Sequence, residues 1–271
     1  EAKKAAAAFK PDAAHCLVPD IGWQRKQEGG RVTESQHFSD GGIFRWRRAD
    51  MGLFLRCPTR FKHRPSQADL LHVDLEWKGQ RIAIDAGSFS YNTHGPFAGA
   101  LKEAAVHNTA TFDGREPMEK VGRFLYLPWP KGRVDWEGDG NVFAASHDGW
   151  SKIGVSHLRR VRTKEDGFEI EDCLSGVRRS HIRLHWLIAD HEHALDAATS
   201  TLRLSTARGP LVVKWNAPAG SRVTLVRADS ESNRGWWSPY YGHATPALSL
   251  AIEFDFEGDV RVTTAFTPGT Q

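Results

Sequence analysis

The run DLLHVDLEWKGQRIAIDAG, residues 69–87, decides how the rest of the chain folds. Apolar and polar side chains alternate along its first half, and this period of two predicts a β-strand with one face in the core. Lys78-Gly79-Gln80 predicts a tight turn, and the apolar residues that follow predict a second strand from Arg81 to Asp85. The run therefore predicts an antiparallel hairpin whose second strand ends on an acidic residue.

A second run, AVHNTATFDG at residues 105–114, follows a long loop and predicts a strand from Asn108 to Phe112 that could lie beside the hairpin. Asp85 ends an apolar strand, where a carboxylate would be half buried and would need an arginine, backbone donors or a metal as its partner. An aspartate with one or two histidines is sufficient for zinc, so Asp85 and His107 are candidate ligands. The alternative is that Asp85 caps a turn and His107 hydrogen-bonds a loop carbonyl.

The composition is that of a globular protein with a substantial core. The chain has 271 residues with 10 Trp and 14 Phe, enough for one large β domain or two ordinary ones. Its net charge of +3 is too small to indicate a nucleic-acid partner. No apolar run approaches the length of a membrane span, and the three widely spaced cysteines predict neither a disulfide framework nor a zinc knuckle.

Strand signals recur from Gly42 onwards, separated by turns rich in Gly, Asp and Ser. We therefore predict an all-β fold, a large antiparallel β-sandwich of two sheets, over residues 43–271. Residues 1–42 form a predicted lead-in, with a short helix over Glu1–Phe9 and an irregular connection over residues 12–42. In the second half, the predicted strands include Phe168–Leu174, Ile182–Leu187, Leu248–Phe256 and Asp259–Phe266.

Three further groups of side chains could bind a ligand or take part in catalysis, and each also has a purely structural explanation. His72 and Asp74 point to the same side of a strand, where they could bind metal or shuttle a proton, or simply form its polar face. Tyr91 lies in the loop directly after Asp85, and a tuned tyrosine can act as an acid or base. A late aromatic group could stack on sugar rings or merely plug the end of the sandwich; its members are Trp236, Trp237, Tyr240 and Tyr241.

The runs PSQADLLHVDLEWKGQRIAIDAGSFSYN at residues 65–92 and AVHNTATFDG at residues 105–114 resemble the C-terminal β-sandwich domain of heparinase II/III-like polysaccharide lyases. Weaker matches lie at GVSHLRRV (154–161), EDCLSG (171–176) and LHWL (184–187), so the resemblance covers most of residues 43–190. It implies a bacterial enzyme that pairs an N-terminal α/α-toroid domain with this sandwich. It also implies β-elimination of uronic-acid-containing polysaccharides such as glycosaminoglycans, in which a base removes the C5 proton and an acid protonates the departing 4-oxygen.

The resemblance also implies a zinc ion held at the positions of Gln67, Asp85 and His107. Relatives usually have His where this chain has Gln67, and an amide oxygen is a poor zinc ligand beside imidazole. Zinc would then need another donor, such as His72 or water. Many relatives carry Arg where Ala105 stands here. Tyr91 corresponds to a loop that faces the toroid cleft, which implies an acid or base role for it.

We further expect four residues to contact the substrate, namely His72, Asn108, Trp236 and Tyr240. The leading hypothesis is the sandwich domain of a polysaccharide lyase, inactive without its toroid, with an acidic polysaccharide as partner and a periplasmic or secreted location. The alternative is a non-catalytic carbohydrate-binding or structural β-sandwich.

Overall fold

The computed structural model of the chain describes residues 24–28, 31–99, 101–137 and 142–269. These residues form nineteen strands and three short 3-10 helices. The strands of the first half are β1 Gln24–Glu28, β2 Arg31–Phe38, β3 Ile43–Arg48, β4 Met51–Arg56, β5 Val73–Trp77, β6 Gln80–Ala83, β7 Ala110–Phe112, β8 Glu119–Gly122, β9 Leu125–Leu127, β10 Gly132–Glu137 and β11 Val142–His147. The strands of the second half are β12 Val155–Thr163, β13 Phe168–Ala189, β14 Glu192–Asp196, β15 Thr201–Thr206, β16 Gly209–Asn216, β17 Arg222–Arg227, β18 Trp236–Tyr240 and β19 His243–Pro268. The 3-10 helices span Gly95–Phe97, Ala104–Val106 and Asp148–Ile153.

Two long strands, β13 and β19, connect the two layers of the fold. They pair antiparallel along most of their length, with a register shift between Gly176 and Ser180. On one side of this shift, β12 pairs with the first half of β13 and β16 with the second half of β19. On the other side, β6 and β7 pair with the second half of β13 and β17 with the first half of β19. The predicted all-β antiparallel sandwich is therefore confirmed.

The structure corrects the sequence prediction in three places. The irregular connection predicted for residues 12–42 is wrong for residues 24–28 and 31–38, because β1 pairs with β2 and β2 pairs with β3. The four strands predicted around residues 168–187 and 248–266 are parts of only two, β13 and β19. The late aromatic group, where the sequence predicts no strand, contains β18. The helix predicted over Glu1–Phe9 lies outside the described residues.

The core lies between the two layers and is built from the inward faces of the alternating strands. In β5, Val73, Leu75 and Trp77 are buried while Asp74 and Glu76 face outwards, as the period of two predicts. Trp186 of β13 packs at the centre against Phe266 of β19, with their ring centroids 5.0 Å apart. No helix among the described residues is long and apolar enough to cross a membrane.

Arg159 is a fully buried cation that joins β12 to the segments carrying the candidate site. Its guanidinium donates to both carboxylate oxygens of Asp172, with Nε–Oδ1 at 2.7 Å and Nη2–Oδ2 at 3.1 Å. Its Nη1 donates to the carbonyl oxygens of Leu71 at 2.6 Å and Asn108 at 2.5 Å. Burial would raise the pKa of Asp172, but Arg159 and His157 outweigh it and lower the pKa to about 2. Removing one partner of such a buried pair leaves an uncompensated charge.

We predict that Arg159→Met lowers the free energy of unfolding by about 3–5 kcal/mol, because Asp172 would remain charged and buried. Urea unfolding at neutral pH measures this change, with Arg208→Met on an exposed turn as the matched control, expected to cost less than about 0.5 kcal/mol. Equal stabilities of the two variants would contradict the role assigned to Arg159.

Candidate functional site

A groove of about 900 Å³ runs over the outward face of the sheet formed by β3 to β6 and is closed at one side by β18. The sequence places polar residues here because alternate residues of these strands face away from the core. The end of the groove nearest β18 is formed by Gln67, His72, Asp85 and Gly87. The hairpin and the Asp85 turn predicted from the sequence thus line the same cavity.

Asp85 is held at this end of the groove by the turn that follows it. Its Oδ1 accepts the backbone N–H of Gly87 at 2.6 Å. Gly87 has φ +77°, and a Cβ there would lie 2.0 Å from the carbonyl oxygen of Ser238. Glycine is therefore required for the loop to approach β18 so closely. Burial raises the pKa of Asp85, but the neighbouring His107, His72 and Gly87 N–H together outweigh it and hold the pKa below its usual range.

His107 lies directly beneath Asp85 and is fully buried. Its Nδ1 is 3.5 Å from Asp85 Oδ2. Both ring nitrogens are buried without a hydrogen-bond partner among the described residues. Burial lowers the pKa of His107, so the ring is favoured in its neutral form. A neutral, buried imidazole with unsatisfied nitrogens is suited to bind a cation or a water molecule.

His72 completes the cluster, but its hydrogen bonds fix its tautomer. Its Nδ1 accepts the backbone N–H of Asn108 at 2.9 Å. In the neutral ring Nε2 must then carry the hydrogen, and it points at Asp74 Oδ1 at 3.1 Å and Asp85 Oδ2 at 3.8 Å. Burial lowers the pKa of His72, but the charges of Asp74, Asp85 and Asp69 outweigh it and raise the pKa. His72 is thus a hydrogen-bond donor to the carboxylates around it.

Ligand atoms of His72, Asp85 and His107 lie within 4.8 Å of one another, close enough to surround one metal ion. The residues fit this role unequally. Asp85 Oδ2 and the His107 ring have free lone pairs, whereas the Nε2 of neutral His72 carries a hydrogen and cannot bind a metal. The donor set therefore supplies two firm ligands, fewer than the three or four of most protein zinc sites.

Gln67 lies beside this cluster, at the position where the sequence comparison expects a third ligand. Its Nε2 donates to the Gly87 carbonyl at 3.3 Å and to Ser88 Oγ at 3.4 Å. Because a carbonyl oxygen only accepts, the amide nitrogen must face Gly87, which leaves the amide oxygen of Gln67 for any further contact. An amide oxygen is a weaker zinc ligand than imidazole.

The side chain of Asn108 belongs to the framework of the site, although the sequence suggests a substrate contact. It is fully buried. Its Nδ2 donates to the carbonyls of Val73 at 2.7 Å and Ile84 at 3.1 Å, and its Oδ1 accepts Leu187 N–H at 2.5 Å. Both amide hydrogens and the amide oxygen therefore bind backbone groups, so Asn108 fixes the positions of β5, the end of β6 and β13.

Three arginines line the groove, alongside the carboxylates of Asp69, Asp74, Glu76 and Asp85. Arg45 lies over the Phe54 ring at 5.2 Å and Arg81 over the Trp237 ring at 5.1 Å. Arg56 binds the buried Asp69 at 3.1 Å. Guanidinium groups held over aromatic rings are positioned to bind carboxylates or sulfates. Sequence reasoning did not single out these arginines, because alternating charge along a strand is equally typical of a solvated face.

The aromatic residues predicted to contact substrate lie apart from the groove floor. Trp236 is half buried, packs on Phe97 with centroids 5.5 Å apart, and donates its Nε1–H to the Asp229 carbonyl at 2.8 Å. It therefore serves the framework, as the plug alternative predicts. Tyr240 is exposed and stacks on His243 at 4.8 Å. Tyr91 is exposed on the loop after Asp85, with its ring 5.4 Å from that of Tyr241.

Comparison with known proteins agrees with the family resemblance of the sequence motifs. The family described as "Heparinase II/III-like, C-terminal" matches residues 30–266. Among solved structures, the chain is similar to the heparinase III BT4657 gene product, with 19% identity, 88% of this chain and 36% of that chain covered, and a TM-score of 0.70. It is also similar to heparan sulfate lyase HepC from Pedobacter heparinus, with 18% identity, 88% and 37% coverage, and a TM-score of 0.69.

A third similar structure is titled heparinase III, with 15% identity, 86% and 36% coverage, and a TM-score of 0.67. The chain thus spans little more than a third of the length of these proteins, and the likeness shows a shared fold. A search of curated proteins finds no match.

Glu116 is a partly buried carboxylate that holds the segment leading to His107. It accepts the N–H groups of Ala104 at 2.6 Å and Ala105 at 3.3 Å, at the start of the 3-10 helix before His107. Burial raises the pKa of Glu116 from 4.5 to about 7, despite these two donors. Between these two pH values the folded chain keeps a proton that the unfolded chain has released, so stability falls as the pH rises.

We predict that Glu116→Gln removes this part of the pH dependence. The free energy of unfolding of the variant, relative to that of wild type, should rise by roughly 1–3 kcal/mol from pH 4.5 to pH 8, measured by urea unfolding at both values. The exposed Glu119→Gln is the control and should show no such gain. An unchanged stability difference at the two pH values would contradict the raised pKa.

Proposed function

This chain belongs to the family of heparinase II/III-like C-terminal domains, and from that membership and its groove we propose that it is the β-sandwich domain of a polysaccharide lyase. Its ligand is a uronic-acid-containing polysaccharide, which the complete enzyme cleaves by β-elimination. The domain works with an α/α-toroid domain that supplies the rest of the substrate cleft, and its location is periplasmic or extracellular.

One observation carries this proposal, the groove whose open face holds arginines and whose end holds His72 and Asp85, with the buried His107 in contact with Asp85. Uronate carboxylates are planar anions that match the two-pronged geometry of a guanidinium group. Binding the carboxylate this way also prepares β-elimination, because the C5 proton becomes acidic only when the adjacent negative charge is neutralised. Arg45 and Arg81 are placed for that task.

Tyr91 is the candidate acid or base on this chain. It lies on the loop after Asp85 and is 42% exposed, so its hydroxyl can approach a bound sugar. In the proposed reaction a base removes the C5 proton, the electrons of the C5–H bond form the C4–C5 double bond, and the bond from C4 to the 4-oxygen breaks. An acid protonates the departing 4-oxygen. Tyr91 would be one of these two groups, and the toroid domain would supply the other.

We also propose that one zinc ion is held by Asp85 and His107, with the amide oxygen of Gln67 as a weak third ligand. When bound, the ion would supply a positive charge near the end of the groove and brace the two loops that carry Asp85 and His107. His72 stays outside the coordination shell because its Nδ1 accepts the Asn108 N–H and its Nε2 therefore carries a hydrogen.

A second candidate function is a non-catalytic carbohydrate-binding module. Two observations favour it. Gln67 weakens the donor set, and Asn108 is directed wholly at the backbone rather than at a ligand. Such a module would use the same groove to bind an acidic glycan without contributing to its cleavage.

We predict that the chain alone binds acidic oligosaccharides without cleaving them. Calorimetry with hexasaccharides from heparan sulfate and from polygalacturonate should show binding, and their carboxyl-reduced forms should bind at least tenfold more weakly, since about 1.4 kcal/mol corresponds to one charge-assisted contact. The absorbance of unsaturated products should stay flat over hours. Clear turnover would contradict the need for a toroid.

Groove variants make this test specific. Arg81→Gln and Arg45→Gln should each lower the affinity for the acidic ligand about three- to tenfold and leave the affinity for the carboxyl-reduced ligand unchanged. Arg203→Gln, on β15 of the other layer, is the control. If the arginine variants bind as wild type does, the groove is not the binding site.

We predict that zinc binding, measured by calorimetry, is abolished by Asp85→Ala and by His107→Ala. It should persist in His72→Asn, because the asparagine oxygen can replace Nδ1 as acceptor for the Asn108 N–H while Nε2 is removed. Gln67→His should strengthen zinc binding at least about tenfold by adding an imidazole ligand. Loss of zinc in His72→Asn, or no gain in Gln67→His, would contradict the proposed ligand set.

A further inference from the structure

Three exposed aromatic side chains meet on the surface next to the groove, and we call Tyr91, Phe124 and Tyr241 the aromatic cluster. Their exposed fractions are 42%, 51% and 56%. The ring of Tyr91 is 5.1 Å from that of Phe124 and 5.4 Å from that of Tyr241. The three come from separate parts of the chain, so their meeting is a property of the fold rather than of one apolar loop.

The aromatic cluster is continuous with the groove through shared backbone. The loop after Asp85 and the β18 region form one wall of the groove, where Ser238 N–H donates to the Ala86 carbonyl at 2.8 Å. Further along the same two segments, Gly242 N–H donates to the Phe89 carbonyl at 2.6 Å. Tyr241 directly precedes Gly242 and Tyr91 lies two residues after Phe89, so a ligand leaving the groove across this wall reaches the cluster.

The charge beneath and around the aromatic cluster is mainly positive. The ammonium of Lys102 lies 4.1 Å from the ring centroid of Tyr91 and 5.4 Å from that of Phe124, and the residue is almost fully buried beneath them. Arg123 and Lys120 are exposed nearby, and Glu103 is the opposing carboxylate. Aromatic rings over a buried cation, with further cations at the edge, favour an anionic ligand that also presents an apolar face.

The hydroxyl of Tyr241 is oriented for a polar contact at the edge of the rings. Its oxygen accepts the backbone N–H of Tyr91 at 3.2 Å and the hydroxyl of Ser90 at 3.1 Å. These two hydrogen bonds, followed by the charges of Arg123 and Lys102, lower the pKa of Tyr241. Since its acceptor capacity is taken, its own O–H is left to act as a donor.

We propose that the aromatic cluster is a second sugar-binding subsite, which stacks one pyranose ring of an acidic polysaccharide whose neighbouring units lie in the groove. The C–H face of the sugar lies on the exposed rings, the Tyr241 O–H donates to a sugar oxygen, and Arg123 binds a carboxylate. This inference rests on the proposed function, because it extends the binding of the same ligand beyond the groove. Phe124 and Lys102, which sequence reasoning did not single out, become recognition residues.

The test compares long and short ligands on cluster and groove variants. Calorimetry uses polygalacturonate disaccharide and hexasaccharide with Tyr241→Ala, Phe124→Ala and Arg123→Gln, and with Leu195→Ala on β14 as the control. Each cluster variant should lower the affinity for the hexasaccharide about tenfold, as expected for the loss of one stacking or charged contact. The affinity for the disaccharide should stay nearly unchanged. Arg81→Gln should weaken both ligands.

The outcomes separate the two proposals. If Arg81→Gln weakens binding while all cluster variants bind the hexasaccharide as wild type does, the subsite is overturned and the groove stands. If wild type binds neither ligand, both proposals fail. A concentration-dependent dimer that Tyr241→Ala and Phe124→Ala dissociate, with glycan affinity unchanged, would assign the rings to a second copy of the chain and also overturn the subsite. Far-UV circular dichroism of each variant verifies that the fold is retained.

Discussion

The buried side chain of Asn108 is the constraint on which the candidate site depends. It binds the backbone of Val73, Ile84 and Leu187, and so fixes β5, the end of β6 and β13 relative to one another. Its own backbone N–H fixes the tautomer of His72, and its carbonyl receives Arg159. Asp85 follows Ile84 and His107 precedes Asn108, so one amide determines how the two candidate zinc ligands face each other. In a low-dielectric interior, such a fully satisfied network specifies a single arrangement.

Local pattern was sufficient for the parts of this structure that depend on neighbouring residues. The alternation along residues 71–77 predicts the hairpin, and the position of Asp85 at the end of an apolar strand predicts a half-buried acid near His107. Pattern could not give the continuity of β13 and β19, because glycine and charged residues at their register shift have the same composition as turns. It also missed β1 and β2, because their sequences QRKQE and RVTESQHF are mostly polar and show no apolar alternation. The role of Arg159 depends on partners 51 and 88 residues away, which no local signal encodes.

The groove and the aromatic cluster differ in the chemistry that they offer. The groove offers guanidinium groups over aromatic rings, which suit carboxylates, and the cluster offers exposed rings above a buried ammonium, which suit the apolar face of a charged sugar. Between them lies the wall where Gly87 meets Ser238, a contact that only glycine allows. Family membership accounts for the fold, while Gln67 and the hydrogen-bonded His72 offer a metal ion fewer donors than a third imidazole would.

The most direct test of this account is a crystal structure of the chain bound to a uronic-acid hexasaccharide. The account predicts a sugar carboxylate on Arg45 or Arg81, the chain passing the wall at Ser238, and a pyranose ring stacked on Tyr241 or Phe124. A hexasaccharide bound on any other face, with the groove filled only by solvent, would contradict it.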